Sequence, residues 1–345
     1  MSLFRLLLLA LALLAASTHA DQVALREGHP DRYVVVEGDT LWDISERFLE
    51  SPWLWPEIWY VNPQIDNPHL IYPGDVITLV YMDGKPQLRV QRGKGGVFKL
   101  SPKMRAERLD KAIPTIPVDA IQQFLTQPLV AEEDILKNAA YVVSSADEHL
   151  IVGAGDRIYV RGINADEGRR FSVFRPGDPY IDPETGELLG YEALFLGDGD
   201  AERFGDPSTL KLTRSMREIN IGDRVLPMTQ EEVHAYFSPH APATEMNGTI
   251  IAVVDGVTQI GQFQIVVINR GEREGVDVGT VFAVDQSGNV IPDQVLMDQR
   301  RKETVKLPDE QAGVMMVFRT FEKVSFGLVM KATRVMHVGD RIRNP

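Results

Sequence analysis

The chain has 345 residues and a formal net charge of −13; 44% of it is hydrophobic, 25% is charged, and it contains no cysteine. That length suits two or three folded domains, and the composition is globular rather than disordered. The acidic balance argues against a nucleic-acid binder, which needs cationic surface to displace phosphate counterions. The lack of cysteine excludes a disulfide framework, cysteine–histidine catalysis and a lipid anchor on an N-terminal cysteine.

In chain order, residues 1–20 come first. Arg5 precedes the apolar run Leu6 to Ala16, and Ser17-Thr18-His19-Ala20 follows with small residues at Thr18 and Ala20. This predicts a cleaved secretory signal over 1–20, with an uncleaved N-terminal anchor as the alternative. The run is too short for a membrane span, which needs about 20 apolar residues. No later apolar run is longer, so the expected membrane association is peripheral rather than integral.

Residues 32–82 form the first predicted module. Tyr33-Val34-Val35-Val36 is β-branched and predicts a short strand. Gly38-Asp39 turns the chain, and Thr40 with Asp43 predicts a capped helix whose buried face is Leu41, Ile44 and Phe48. Pro52 opens a second helix reaching about Tyr60, and Asn62-Pro63 closes it. Tyr72-Pro73-Gly74-Asp75 turns into a second strand, Val76 to Val80. All four tryptophans fall between 42 and 59. Trp42 and Trp59 are expected in the core; Trp53 and Trp55 are expected to pack too, with a sugar or partner contact as the rival role.

This strand–helix–helix–strand segment resembles a LysM domain. The residues that carry the likeness are Tyr33-Val34-Val35, Gly38 to Ile44, Asn62-Pro63 and Ile71 to Ile77. The resemblance implies binding of N-acetylglucosamine-containing glycan, in bacteria peptidoglycan, in a shallow groove between two loops. Those loops here are Gly38, Asp39, Thr40 and Leu41 on one side, and Asn67, Pro68, His69, Leu70, Ile71 and Tyr72 on the other. Gly38 lets a ligand approach the backbone. Asp39 and Thr40 close a turn and cap a helix, and could also hydrogen-bond an acetamido group.

Residues 83–140 predict a connector with short helices, one after Asp119 and one over 131–138. Within 83–111, nine cations stand against three acids, a net of +6. A solvated linker is the expected role of that charge, and contact with anionic wall polymer or an acidic partner the alternative.

The remainder reads as an internal repeat, over 141–228 and 247–345. Arg161-Gly162, Phe171-x-Val173 and Ile221-Gly222-Asp223-Arg224-Val225 match Arg270-Gly271, Phe282-x-Val284 and Val338-Gly339-Asp340-Arg341-Ile342. Short β-branched strands between glycine turns predict two small antiparallel barrels or sandwiches. The Gly-Asp pairs are expected to be turns into a last strand. The second copy resembles the C-terminal domain of the flagellar assembly protein T family, through Val267-Ile268-Asn269-x-Gly271, Gly275-Val276-x-Val278-Gly279 and Phe282-x-Val284. With the signal and the first module, the whole resembles the secretin-associated LysM proteins of type IV pili. That implies a periplasmic adaptor holding an outer-membrane secretin ring against peptidoglycan.

No catalytic motif is present, and neither cofactor nor metal is expected. His234 and His240 lack a third ligand. The acids Asp178, Asp182, Glu184 and Glu187, with Asp198, Asp200 and Glu202, lack EF-hand order, so a hairpin tip is expected rather than a calcium site. The overall expectation is an α+β, non-enzymatic adaptor. A general or flagellar wall adaptor is the alternative, followed by a hydrolase with an unrecognised carboxylate pair.

Overall fold

The computed structural model describes residues 23–59, 70–92, 112–117, 120–121, 130–131, 133–146, 152–228, 237–254, 259–288, 290–293 and 304–345. The signal segment 1–20, the Asn62-Pro63 closure and most of the basic run lie outside these residues. The fold is mixed α+β and divides into two compact units, Met1–Ile113 and Pro114–Pro345. Among the described residues no helix is long and apolar enough to cross a membrane.

In the first unit the expected order holds: β1 (Arg32–Val34), α1 (Leu41–Phe48), a 3-10 turn (Pro52–Leu54), α2 (Trp55–Ile58) and β2 (Val76–Met82). The Thr40 hydroxyl accepts from the Asp43 backbone at 3.1 Å while the Asp43 carboxylate accepts from the Thr40 backbone at 3.2 Å, a reciprocal cap. Leu41, Trp42, Ile44 and Phe48 bury one face of α1. All four tryptophans are buried, and Trp55 meets Trp59 edge-on at 5.8 Å. Past the expected module end at 82, Asp83-Gly84 makes a tight turn into β3 (Lys85–Gln91). β3 pairs along the whole of β2 and buries Leu88. Both turn residues take positive φ, the conformation favoured in two-residue hairpins. The alternation in 85–91 is diluted by charge and proline, so the segment reads as linker until β2 supplies its hydrogen-bond partner.

The second unit begins with β4 (Val130–Ala131) and α3 (Glu133–Asn138), so the helix expected over 131–138 starts two residues later. The first repeat holds β5 (Ala140–Ser145), β6 (Arg157–Arg161), β7 (Arg170–Ile181), β8 (Leu188–Arg203), β9 (Ser208–Ser215) and β10 (Arg224–Pro227). The second holds β11 (Asn247–Val253), β12 (Ile265–Ile268), β13 (Val281–Gln286), β14 (Val290–Pro292), β15 (Thr304–Lys306), β16 (Glu310–Thr320), β17 (Ser325–Ala332) and β18 (Arg341–Arg343). The second copy closes as a six-stranded barrel in the order β11-β12-β17-β16-β13-β18. The first runs β5-β6-β9-β8-β7-β10 and closes through β10–β5, with β4 added outside β8. Strand for strand the two cycles are the same.

Register agrees as well. Val225 faces Val173 in the first barrel and Ile342 faces Val284 in the second. Both copies carry an irregularity at the same place, between Val142 and Ser144 and between Ile250 and Ala252. The Gly-Asp pairs are turns in both. Gly222 (φ 92°) donates to Val142 and Gly339 (φ 99°) to Ile250, each at 2.8 Å. The aspartate then folds back to accept a backbone N–H three residues earlier, Asp223 from Asn220 and Asp340 from His337. A left-handed residue with no Cβ strain explains the glycine, and the local acceptor explains the aspartate.

Only part of β7 and β8 belongs to the first barrel; beyond Phe174 and Phe195 the pair runs on as a ribbon to a turn at 182–187. This arm lies on the second barrel. Asp182 accepts from the Asn269 amide at 3.0 Å, with both side chains buried. Glu187 takes a two-pronged bond from Arg273 at 2.7 and 3.0 Å, and Lys323 at 2.9 Å. Tyr180 meets Phe326 edge-on at 6.5 Å. Asp182, Glu184 and Glu187 therefore sit at a docked hairpin tip, whereas Asp198, Asp200 and Glu202, expected with them, lie within β8 of the first barrel because that strand runs on from the ribbon. Asp198 is likewise engaged, by Ser172 at 2.8 Å and Arg214 at 2.9 Å. Among the described residues no group of three or more His, Cys, Asp or Glu is placed to hold a metal ion.

The arm contact gives a pH prediction. Hydrogen bonds from Arg273 and then Lys323 hold the Glu187 carboxyl down at about 2, against an ordinary 4.5. A depressed folded value means stabilisation that is present above about 4.5 and lost as pH falls through about 2. Hydrogen exchange of the 180–190 amides, corrected for intrinsic rate, is expected to accelerate across that window and to stay level at neutral pH. Protection that is flat down to about pH 2 would mean that Glu187 does not hold the arm.

Candidate functional site

The two loops expected to form a groove are brought together by the closure of β1 on β2. Val35 donates to the Asp75 carbonyl at 2.9 Å and Gly74 donates back to Val35 at 2.8 Å. Gly38 (φ 93°) and Gly74 (φ 93°) form the exposed turns on either side.

On the first loop the Asp39 carboxylate is buried. It accepts the Tyr33 hydroxyl at 3.0 and 3.2 Å and the Val36 N–H at 2.9 Å. Burial first, and then the Asp39 contact, raise the Tyr33 phenol above its ordinary value, so it remains a donor. The Arg47 guanidinium stacks over the same ring at 4.4 Å from its centre. Thr40 and Leu41 are buried, and the Thr40 hydroxyl donates to Asp43 at 2.7 Å. Both polar side chains proposed for sugar contact are thus engaged in shaping the loop. What the loop presents outward is backbone, at Gly38.

On the second loop, Asn67, Pro68 and His69 lie outside the described residues. Leu70 is exposed, Ile71 is fully buried, and Tyr72 is half-buried. The Tyr72 backbone donates to the Asp75 carboxylate at 3.1 Å, and Arg92 pairs with the same carboxylate at 2.6 Å. The Arg92 guanidinium also covers the Tyr72 ring at 5.0 Å. Arg92 lies just past β3, in the segment the sequence reading gave to the connector. Only the β2–β3 pairing carries it back to this loop, and its place in a charge run gave no signal of that. Ile113 likewise returns, donating to the Ile71 carbonyl at 2.8 Å.

The arrangement suits binding rather than chemistry. The two carboxylates at the groove, Asp39 and Asp75, are buried and already accept internal donors. Neither is positioned as a free general acid or base. The buried tryptophans give the loops a rigid footing but no stacking platform. Between them the two loops present exposed backbone at Gly38 and Gly74, the exposed Leu70 side chain and a flanking Tyr72–Arg92 pair.

The second unit offers a different kind of surface. A cleft of about 530 Å³ opens between the arm and the second barrel, lined by Val130, Ile135, Leu188, Tyr191, Phe321 and Lys323 among others. Its lining mixes apolar side chains with the charged Glu322 and Lys323. His240 holds the strap before the second barrel: its ring nitrogens meet the Ser238 carbonyl at 3.0 Å and Asp277 at 2.9 Å. The Thr280 hydroxyl lies 3.5 Å from the same ring nitrogen and donates to Asp277 at 2.7 Å, so His240, Asp277 and Thr280 tie the strap to the turn before β13.

Compared with known protein families, residues 33–80 match the LysM domain. A LysM domain is a glycan-binding module for peptidoglycan and related N-acetylglucosamine polymers, typical of proteins associated with cell walls, and is not itself catalytic. No curated protein matches the chain.

Proposed function

We propose that this protein is a non-enzymatic periplasmic adaptor that ties an outer-membrane secretin complex of the type IV pilus to peptidoglycan. The observation that carries the wall-binding half is the LysM domain at 33–80, with its glycine-turned groove and committed carboxylates. The groove reading assigns contact to Gly38, Asp39, Thr40 and Leu41 and to the stretch from Asn67 to Tyr72, with Asp39 and Thr40 acting mainly by shaping the loop. The domain limits proposed are a signal over 1–20, glycan binding over 32–82 with β3 added, a connector to 140, and repeat modules over 141–228 and 247–345.

The partner half rests on the sequence resemblance, and the cleft beside the arm is the surface we assign to the partner. A single shallow groove binds weakly; several copies held on one ring would bind the wall tightly through effective concentration. A general or flagellar wall adaptor would use the same two halves with another partner.

A pulldown on purified peptidoglycan sacculi tests the reading. The mature chain is expected to sediment with sacculi, and a variant lacking residues 21–113 to remain in solution, with no muropeptide released by either. Retention of the variant, or any muropeptide release, would overturn the assignment. Secretin rings extracted with intact sacculi are expected to lose wall association in a strain lacking this protein, and twitching rather than swimming motility is expected to fail.

A further inference from the structure

We infer that the β14–β15 arm of the second barrel docks on the first barrel of another copy of this chain, linking copies head to tail. The template is within the molecule. The first barrel sends out its β7–β8 ribbon, and the second barrel receives it through Asn269, Arg273, Lys323 and Phe326. The second barrel has the same topology and sends out a ribbon from the equivalent strands, β13 and β16. Val290 pairs with Lys306, Ile291 with Val305 and Pro292 with Thr304. Val173 and Val284 are equivalent by register, each facing a glycine of the partner strand, Gly197 and Gly313. Counting the same distance along each chain leads from Val173 to Tyr180, which packs on Phe326, and from Val284 to Ile291, which is 43% exposed.

The second ribbon is apolar where it should be wet. Val290 is 64% exposed, Val305 45% and Leu307 40%. A two-stranded ribbon alone in water is marginally stable, so this composition calls for a surface to lie on. The acceptor on the second barrel is already filled by the first arm of the same chain. The equivalent acceptor on the first barrel is the end of β6 and the turn between β8 and β9. There the register puts Arg161 where Asn269 stands, one position away from its sequence match to Arg270, since Arg161 faces Tyr141 as Asn269 bonds Thr249. The 204–207 turn stands where 321–324 stands, because Ser208 faces Val160 as Ser325 faces Ile268. This surface carries an exposed Arg161–Asp206 pair at 2.8 and 3.0 Å beside the partly buried Phe204. An exposed pair of that kind contributes little in water and is available to re-pair with an incoming arm. An arm on one barrel and its acceptor on the other make a heterologous interface, which builds rings or filaments rather than closed pairs.

The test is the mass of the mature chain by light scattering over a range of concentrations. The wild type is expected to grow beyond a monomer. I291D/V305D on the arm and R161E on the acceptor, all at exposed positions, are each expected to stay monomeric with unchanged circular dichroism. Mixed together, those two variants retain one competent interface per pair, so the mass is expected to roughly double and go no further. A wild type that is monomeric throughout, an arm variant that still assembles, or a mixture that stays monomeric would each overturn the inference. The measurement uses neither glycan nor secretin, so it can fail while the wall-anchoring reading stands, and the reverse.

Discussion

Phe282→Ala is expected to destabilise the second barrel by about 3–5 kcal/mol, a large fraction of the roughly 5–15 kcal/mol that holds a domain folded. Phe282 is fully buried among Ile250, Val266, Met315 and Ile342, and its neighbours are held by a closed ring of strands. A closed barrel collapses poorly around a lost ring, so the cavity persists and its cost is felt in full. Phe171→Ala in the first barrel occupies the matching position and is expected to cost a similar amount there. The four tryptophans, all between 42 and 59, make the check clean. Urea unfolding followed by tryptophan emission reports the first unit, while far-ultraviolet circular dichroism reports the β-rich second unit. The dichroism midpoint should fall and the tryptophan midpoint should not. A shift of both together would show that the units unfold as one.

Asn269→Ala is expected to release the arm at a cost of about 2–4 kcal/mol, the range for leaving buried polar partners unmet. The Asn269 side chain bridges two groups: its oxygen accepts the Thr249 N–H at 2.7 Å, and its amide donates to Asp182 at 3.0 Å. Truncation therefore strands a backbone donor and a buried carboxylate at once. Burial alone would raise the Asp182 pKa, but the N–H groups of Glu184 and Thr185 and the Asn269 amide hold it below the ordinary carboxylate range. Glu187→Gln at the exposed side of the same contact is expected to cost far less, because solvent screens that pair. Limited proteolysis at the arm and denaturant midpoints would measure both variants. Equal, small effects would show that the buried bridge is not what fixes the arm.

The first module was largely legible in order and type. A β-branched run, a cap three residues before an aspartate and a Pro-Gly-Asp turn are local signals, and each produced the element expected. The repeat was legible for a related reason: paired glycines and the Phe-x-Val and Gly-Asp-Arg strings recur because each marks a backbone conformation or register position required twice. The third strand of the first sheet was not legible. Lys85 to Gln91 has little apolar periodicity, and its structure comes from hydrogen bonds to β2 rather than from its own residues.

Sequence alone therefore determined those features that depend on residues near one another: the helix cap, the turns, the strand periodicity, the recurrence of one barrel pattern, and the absence of cysteine chemistry. Tertiary structure decided what depends on residues far apart. It closed each repeat into the same six-stranded ring. It brought Arg92 back over Tyr72. It turned an acidic cluster into a docked arm by setting Asp182 and Glu187 against Asn269, Arg273 and Lys323. The physical reason is that a carboxylate's role follows from which donors surround it, and the side-chain donors that dock the arm lie more than eighty positions away along the chain.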